Sequence, residues 1–128
     1  MKLGYVIIYV PDVLAAVEFY ERAFAVQRRY VNSTAQYAEL ETGATALAFA
    51  HESLLTHGDL VAPNRASGKA AGAEVAFVTD DVAAAFARAV AAGAVAVVAP
   101  AAKPWGQIVS YVRDGNGFMV ELCSPVAH

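Results

Sequence analysis

The residues of this chain best placed to do chemistry are two carboxylates, several tyrosines and one tryptophan. Glu121 lies inside Phe118-Met119-Val120-Glu121-Leu122-Cys123, an otherwise apolar run in which an unpaired charge is costly. Glu74 opens a second apolar run, Glu74-Val75-Ala76-Phe77-Val78. Two carboxylates turned into one cavity repel each other and raise the pKa of one of them, and a bound cation relieves the repulsion. Without a cation, either carboxylate can act as a general base on an enolisable substrate. The competing reading gives Glu121 an internal salt bridge to Arg113 or Lys103 and makes Glu74 a solvated strand start after Gly72-Ala73.

Lys103-Pro104-Trp105-Gly106-Gln107 sets the only tryptophan on a bend fixed by Pro104 and Gly106. At a cavity mouth an indole stacks on flat ligands and attracts cations; turned inward, it anchors a core or a dimer interface. No Ser-His-Asp, Cys-His or HExxH arrangement occurs. His51 and His57 lie in mid-chain and His128 is the last residue. The single Cys123 permits no internal disulfide, fits a reducing compartment and reads as a small packed hydrophobe.

An internal repeat must position these groups. Tyr5-Val6-Ile7-Ile8-Tyr9-Val10-Pro11-Asp12-Val13 returns as Glu74-Val75-Ala76-Phe77-Val78-Thr79-Asp80-Asp81-Val82 at a constant offset, which carries on through Ala25-Val26 and Ala94-Val95. Half-units of this size cannot each bury a full core, so they are expected to pair about a pseudo-twofold axis. The opening residues Tyr5 and Glu74 are expected to face a common cavity.

The hydrophobic pattern predicts a strand over 3–10, then a helix from Val13 to Phe24 capped by Asp12. Strands follow over Val26–Asn32, Gln36–Glu41 and Thr45–Ala50. The second half repeats the order: a strand from Glu74, a helix after Asp81 that stops at Gly93, and strands over 94–99, 107–113 and 118–123. Asp114-Gly115-Asn116-Gly117 signals a hairpin. The expected fold is therefore α+β, two β-α-β-β-β modules over 1–50 and 74–128 forming a cup-shaped sheet. Residues 51–73 join them as a slack tether or as a lid.

Side-chain alternation assigns the lining. Tyr5, Ile7 and Tyr9 share one face, as do Ala76 and Val78 with Glu74. Met119, Glu121 and Cys123 turn the same way. Burying Ala38 and Leu40 under the helix leaves Tyr37 and Glu39 on the cup face, and Ala46, Ala48 and Ala50 face inward with Leu47 and Phe49 behind them. Tyr111 and Tyr37 are ordinary sheet residues taken singly and an aromatic lining taken together. The expected ligand-binding set is Tyr5, Tyr9, Tyr37, Glu39, Ala48, Glu74, Trp105, Tyr111, Met119 and Glu121.

Composition narrows the partners. With 58% hydrophobic and 16% charged residues the chain is no polar, disordered sequence. Its apolar runs are broken by Pro, Gly and Asp, which excludes a membrane span. A net charge of −3 with no Lys/Arg cluster argues against nucleic acid. No secretory segment opens the sequence, so a cytoplasmic location is expected.

The strand-Asp-helix opening Tyr9-Val10-Pro11-Asp12 through Glu18-Phe19-Tyr20, its echo at Phe77 to Val82, and the close Tyr111-Val112-Arg113-Asp114-Gly115-Asn116-Gly117-Phe118-Met119-Val120-Glu121-Leu122 resemble the vicinal oxygen chelate superfamily. That superfamily includes glyoxalase I, bleomycin-resistance proteins, fosfomycin-resistance transferases and extradiol dioxygenases. The resemblance implies half-cups completed within a homodimer, with ligand bound inside.

Metal-using members carry ligands at the start of the first strand and on the last strand of each half. The resemblance puts those positions at Tyr5, Glu74, Glu121 and near Ala48. A phenol is a poor ligand at neutral pH and Ala is none, so the expectation is no metal cofactor, with a divalent metal on Tyr5, Glu74 and Glu121 as the alternative. Two functions follow. One is a metal-independent protein of the bleomycin-resistance type that sequesters an aromatic or cationic small molecule. The other is a glyoxalase-like lyase or isomerase, with a weak metal site or with Glu121 or Glu74 as catalytic base.

Overall fold

A computed structural model describes residues 1–126, so His128 lies outside the described residues. The chain divides into two compact units between Asn64 and Arg65. In the first, β1 (Tyr5–Val10) is followed by α1 (Val13–Phe24), β2 (Arg28–Val31), β3 (Tyr37–Leu40) and β4 (Ala46–His51). The sheet order is β1-β4-β3-β2, with β1 parallel to β4.

Helix α1 starts where Asp12, in extended backbone, accepts from the Ala15 amide at 3.0 Å and so supplies an acceptor to the free first turn. Its apolar stripe, Val13, Ala16, Val17, Tyr20 and Ala23, is buried on β3 and β4. From the sheet, Ile8, Val10, Ala38, Leu40, Leu47 and Phe49 complete that core. Tyr20 and Phe49 meet edge to face with ring centroids 4.9 Å apart. Burying rings of this size contributes about 2–3 kcal/mol each.

The second unit repeats the plan with β5 (Glu74–Val78), α2 (Val82–Ala91), β6 (Val95–Ala102), β7 (Ile108–Arg113) and β8 (Met119–Cys123). Its order is β5-β8-β7-β6, with β5 parallel to β8. Asp81 caps α2 through the Ala84 amide at 3.0 Å, as Asp12 caps α1. Val82 and Ala89 of the helix are buried, as are Val112, Val120 and Leu122 of the sheet, and the buried Ser110 hydroxyl donates to the Leu122 carbonyl at 2.9 Å.

The β-α-β-β-β order is present in both units, with strand boundaries shifted by up to three residues. β2 is shorter than the hydrophobic pattern predicts because its register against β3 shifts between Arg28 and Tyr30. β6 runs on to Ala102, through Pro100; it lies at the sheet edge, where a missing N–H breaks no ladder. β4 extends to His51, whose Nδ1 accepts from the Ser53 amide at 3.1 Å and starts a 3₁₀ turn, Glu52–Leu54. Instead of hanging slack, the joining segment is fastened to both units: Asn64 donates to the Tyr9 carbonyl at 3.0 Å, and Arg113 holds residues 65–68. Among the described residues no helix is long and apolar enough to cross a membrane.

Candidate functional site

Each helix covers one face of its sheet, and register fixes what stands on the other. In the second unit Glu74 is opposite Met119, which is opposite Arg113; Ala76, Glu121 and Tyr111 form the next row, and Val78, Cys123 and Val109 the third. Glu74 and Glu121 are thus diagonal neighbours on adjacent strands, roughly 7 Å apart. Gly72, Ala73, Glu74 and Met119 line an open depression of about 350 Å³ at that end.

Glu121 perturbs Glu74 and the groups beside it. Glu74 is exposed as a residue, yet the sheet surface strips part of the water from its carboxyl and raises its pKa, and the charge of Glu121 adds to the rise. A hydrogen bond to Glu121, with burial, pushes the Tyr111 phenol up to about 12. Burial, reinforced by Glu121, pushes the Cys123 thiol up to about 11. Cys123 is therefore a protonated, buried group whose sulfur also lies 3.7 Å from the Phe77 carbonyl.

The salt bridge weighed for Glu121 does not form: among the described residues neither Arg113 nor Lys103 pairs with it. The Arg113 guanidinium donates instead to four carbonyls, those of Gly68 (2.7 Å), Gly117 (2.8 Å), Arg65 (3.4 Å) and Ala66 (3.5 Å). Gly117 stands at φ 84, and a Cβ there would meet the Arg113 guanidinium and the Arg65 carbonyl. The Arg113 guanidinium, in the row of Glu74, is committed to holding chain.

Trp105 is displayed, with 59% of its surface exposed, which removes the core reading of the indole. Pro104 and Trp105 occupy the centre of a turn closed by Gly106 at φ 88, whose amide donates to the Lys103 carbonyl at 2.9 Å. The Gln107 side chain accepts from the indole Nε1 at 2.9 Å and donates to the Ser124 carbonyl at 3.0 Å.

The open face of the first unit carries the remaining candidates. Tyr5 lies opposite Ala46; Ile7, Ala48 and Glu39 form the next row, and Tyr9, Ala50 and Tyr37 the third. Tyr5 is exposed and Tyr9 half-buried, whereas Ala46, Ala48 and Ala50 are buried. Glu39 accepts from the Tyr37 hydroxyl at 2.9 Å and pairs with Arg29 at 3.4 Å, and Arg29 also reaches Glu41 at 3.7 Å. Burial first, then the bond to Glu39, pushes Tyr37 up to about 12. The Tyr30 and Tyr37 rings lie 6.5 Å apart.

Register also settles which residues correspond between units. Ala48 faces Ile7, two residues beyond Tyr5, as Glu121 faces Ala76, two residues beyond Glu74. The four positions at which the resemblance expects metal ligands therefore carry Tyr5, Ala48, Glu74 and Glu121. Within the first unit that leaves a phenol and a methyl group, a donor set that does not fit a divalent metal. Among the described residues no group of three His, Cys, Asp or Glu is placed to hold one. His51 lies elsewhere, bonded to the Ser53 hydroxyl at 2.7 Å.

The roles of three residues escaped the sequence reading. Arg29 joins the open face because of the register shift in β2. Arg113 acts on backbone carbonyls, which every sequence has. Gln107 was signalled only by its spacing of two from Trp105 across a left-handed glycine.

A family model described as the Glyoxalase/Bleomycin resistance protein/Dioxygenase superfamily matches residues 2–122. No curated protein matches the chain. Among solved structures, a glyoxalase/bleomycin resistance protein/dioxygenase family enzyme from Burkholderia phytofirmans PsJN superposes with a TM-score of 0.80 at 22% identity, covering 97% of this chain and 98% of that one. A glyoxalase-related enzyme from Fulvimarina pelagi gives 0.80 at 20% identity over 98% of this chain and 88% of that one. TioX from Micromonospora sp. ML1 gives 0.73 at 24% identity over 97% and 98%. At these identities the structures share the fold. The chain belongs to the Glyoxalase/Bleomycin resistance protein/Dioxygenase superfamily.

Proposed function

We propose that this member of the superfamily is a metal-independent small-molecule binding protein of the bleomycin-resistance type, which takes up a cationic, aromatic compound. The observation that carries the reading is the pair Glu74 and Glu121, two carboxylates on one open sheet face whose nearest arginine is engaged with backbone. Such a face attracts a compact cation, since the cation relieves both the repulsion and the cost of holding charge beside apolar surface. Tyr111, Met119 and the displayed Trp105 supply apolar and π surface for the rest of the ligand. On the first unit, Tyr5, Tyr9, Tyr37, Glu39 and the alanine row at Ala48 form the corresponding aromatic surface. The protein works in this reading as a cytoplasmic homodimer. No activated nucleophile is required for sequestration.

One observation favours a second reading. Glu74 is held above the ordinary carboxylate range, which suits a general base on an enolisable substrate. The two readings separate in a single set of variants. Quenching of Trp105 emission by a panel of aromatic cations gives affinities for the wild type, Glu121→Gln and Glu52→Gln. The binding reading expects Glu121→Gln to weaken the cation at least tenfold and Glu52→Gln to leave it unchanged; equal losses remove Glu121 from the site. Stoichiometric uptake of Ni²⁺, Zn²⁺, Mn²⁺ or Fe²⁺ in native mass spectrometry would overturn metal independence and turn attention to lyase and isomerase assays.

A further inference from the structure

Trp105 combines two properties that rarely go together, an exposed ring and a fixed one. An exposed indole ordinarily moves among rotamers and gives its N–H to water. Here Nε1 donates to Gln107 Oε1 at 2.9 Å, and Gln107 Nε2 donates to the Ser124 carbonyl at 3.0 Å. Ser124 is itself held on β7, its amide donating to the Ile108 carbonyl at 2.9 Å and its hydroxyl accepting from the Ile108 amide at 2.8 Å. The orientation of the Gln107 amide follows from its partners: the indole can only donate and the carbonyl can only accept, so a flipped amide would set donor against donor and acceptor against acceptor.

We propose that Gln107 is a positioning residue that fixes the Trp105 indole at the Ser124 end of β8 and occupies its ring N–H, so that a ligand meets only the π face. This deepens, and for its ligand rests on, the binding function proposed above. The consequence is a ligand class. The indole face is electron-rich and attracts cations and flat electron-poor rings. With its donor occupied, the indole offers nothing to a neutral ligand that recognises its target through acceptor atoms. Fixing the ring in advance also removes an ordering cost that binding would otherwise carry.

Because Trp105 is the only tryptophan, its emission reports the positioning without any ligand. Time-resolved fluorescence anisotropy of the wild type is expected to show the slow tumbling of the whole protein. Gln107→Leu should add a fast local component, with far-UV circular dichroism unchanged. Gln107→Glu, which keeps an acceptor for the indole but sets its second oxygen against the Ser124 carbonyl, should restore only part of the slow decay. A wild-type decay in Gln107→Leu overturns the positioning role. The ligand class is read with two probes, the aromatic cation ethidium and the neutral, acceptor-rich caffeine. Wild type should prefer ethidium, and Gln107→Leu should narrow that preference about fivefold, the share of one neutral hydrogen bond. An unchanged preference in a wild type that binds ethidium overturns the ligand class. If the wild type binds neither probe while the anisotropy responds as expected, the binding function is what fails and the positioning role stands.

Discussion

The two units share one fold and differ in how they treat a carboxylate. On the open face of the first, Glu39 takes a hydrogen bond from Tyr37 and an ion pair from Arg29, and the alanine row between the outer strands is closed. On the open face of the second, Glu74 and Glu121 have no cation among the described residues, and the arginine in their rows, Arg113, faces backbone. The two open faces therefore hold a neutralised surface in one copy and an acidic one in the other, and at different strand positions: Glu39 stands on β3, whereas Glu74 and Glu121 stand where the first unit has Tyr5 and Ala48. A duplicated scaffold needs both helices, both caps and both buried faces to fold, whereas its open faces are free to diverge. The difference between them is consequently the better guide to function than anything the copies have in common.

The sharpest way to break this contrast is to dislodge Arg113. Gly117 has φ 84 and sits where a Cβ would press on the Arg113 guanidinium and the Arg65 carbonyl. Gly117→Ala is expected to cost about 3 kcal/mol, combining left-handed strain with a clash against backbone. Urea unfolding measures it. Gly43, with a similar φ of 92 and open space around it, is the control: Gly43→Ala should cost about 1 kcal/mol. Equal losses at the two glycines would mean that the clamp contributes nothing beyond turn strain.

The second test addresses charge directly. Glu121→Gln should reduce ethidium affinity about tenfold, the share of one charge-assisted contact, while Glu39→Gln should change it less than twofold because Arg29 already neutralises that acid. If both substitutions weaken binding alike, the two faces are equivalent and the contrast collapses.

Much of this was legible in the chain. The repeat, the caps at Asp12 and Asp81, the hairpin at Asp114 and the inward turn of Glu121 all rest on local chemistry of period two or three to four, which a sequence displays. The sequence placed the counterpart of Glu121 only near Ala48, and the pairing of β1 with β4 fixed it, because β2 and β6 differ in length and the constant offset of the repeat is lost there. Arg29 was hidden by a one-residue register shift, and Arg113 by the chemical sameness of backbone carbonyls. The expectation that Arg113 would answer Glu121 failed for that reason: opposite charges are visible in a sequence, and carbonyl cradles are not.

Helix ends offer a smaller contrast between the units. Past α2 the chain turns left-handed at Gly93, φ 110, and past α1 at Ala25, φ 58, where a Cβ is strained. Ala25→Gly should relieve about 1 kcal/mol of left-handed strain and return about half of it through the greater freedom of glycine in the unfolded chain. A net gain of about 0.5 kcal/mol in urea unfolding is expected, and a loss would show that the exposed Ala25 methyl contributes more than its backbone costs.

The smallest effect separates the acids by pH. The pKa of Glu74 is raised on folding, by burial first and by Glu121 second, so the folded protein holds this proton more tightly than the unfolded chain. Between the ordinary value of 4.5 and the folded value, the folded state binds more protons, and stability contributed by Glu74 falls as pH rises through that window. Glu74→Gln has no charge to lose. It should therefore unfold at a slightly higher temperature than wild type at pH 7 and at nearly the same temperature at pH 4. Cation binding must run the opposite way, strengthening as Glu74 ionises, since the ligand stabilises the charged form that folding disfavours. A protein whose ethidium affinity rose with pH while its Glu74-dependent stability fell would tie both behaviours to one carboxylate; affinity that is flat across the window would separate Glu74 from the ligand and leave Glu121 to hold it alone.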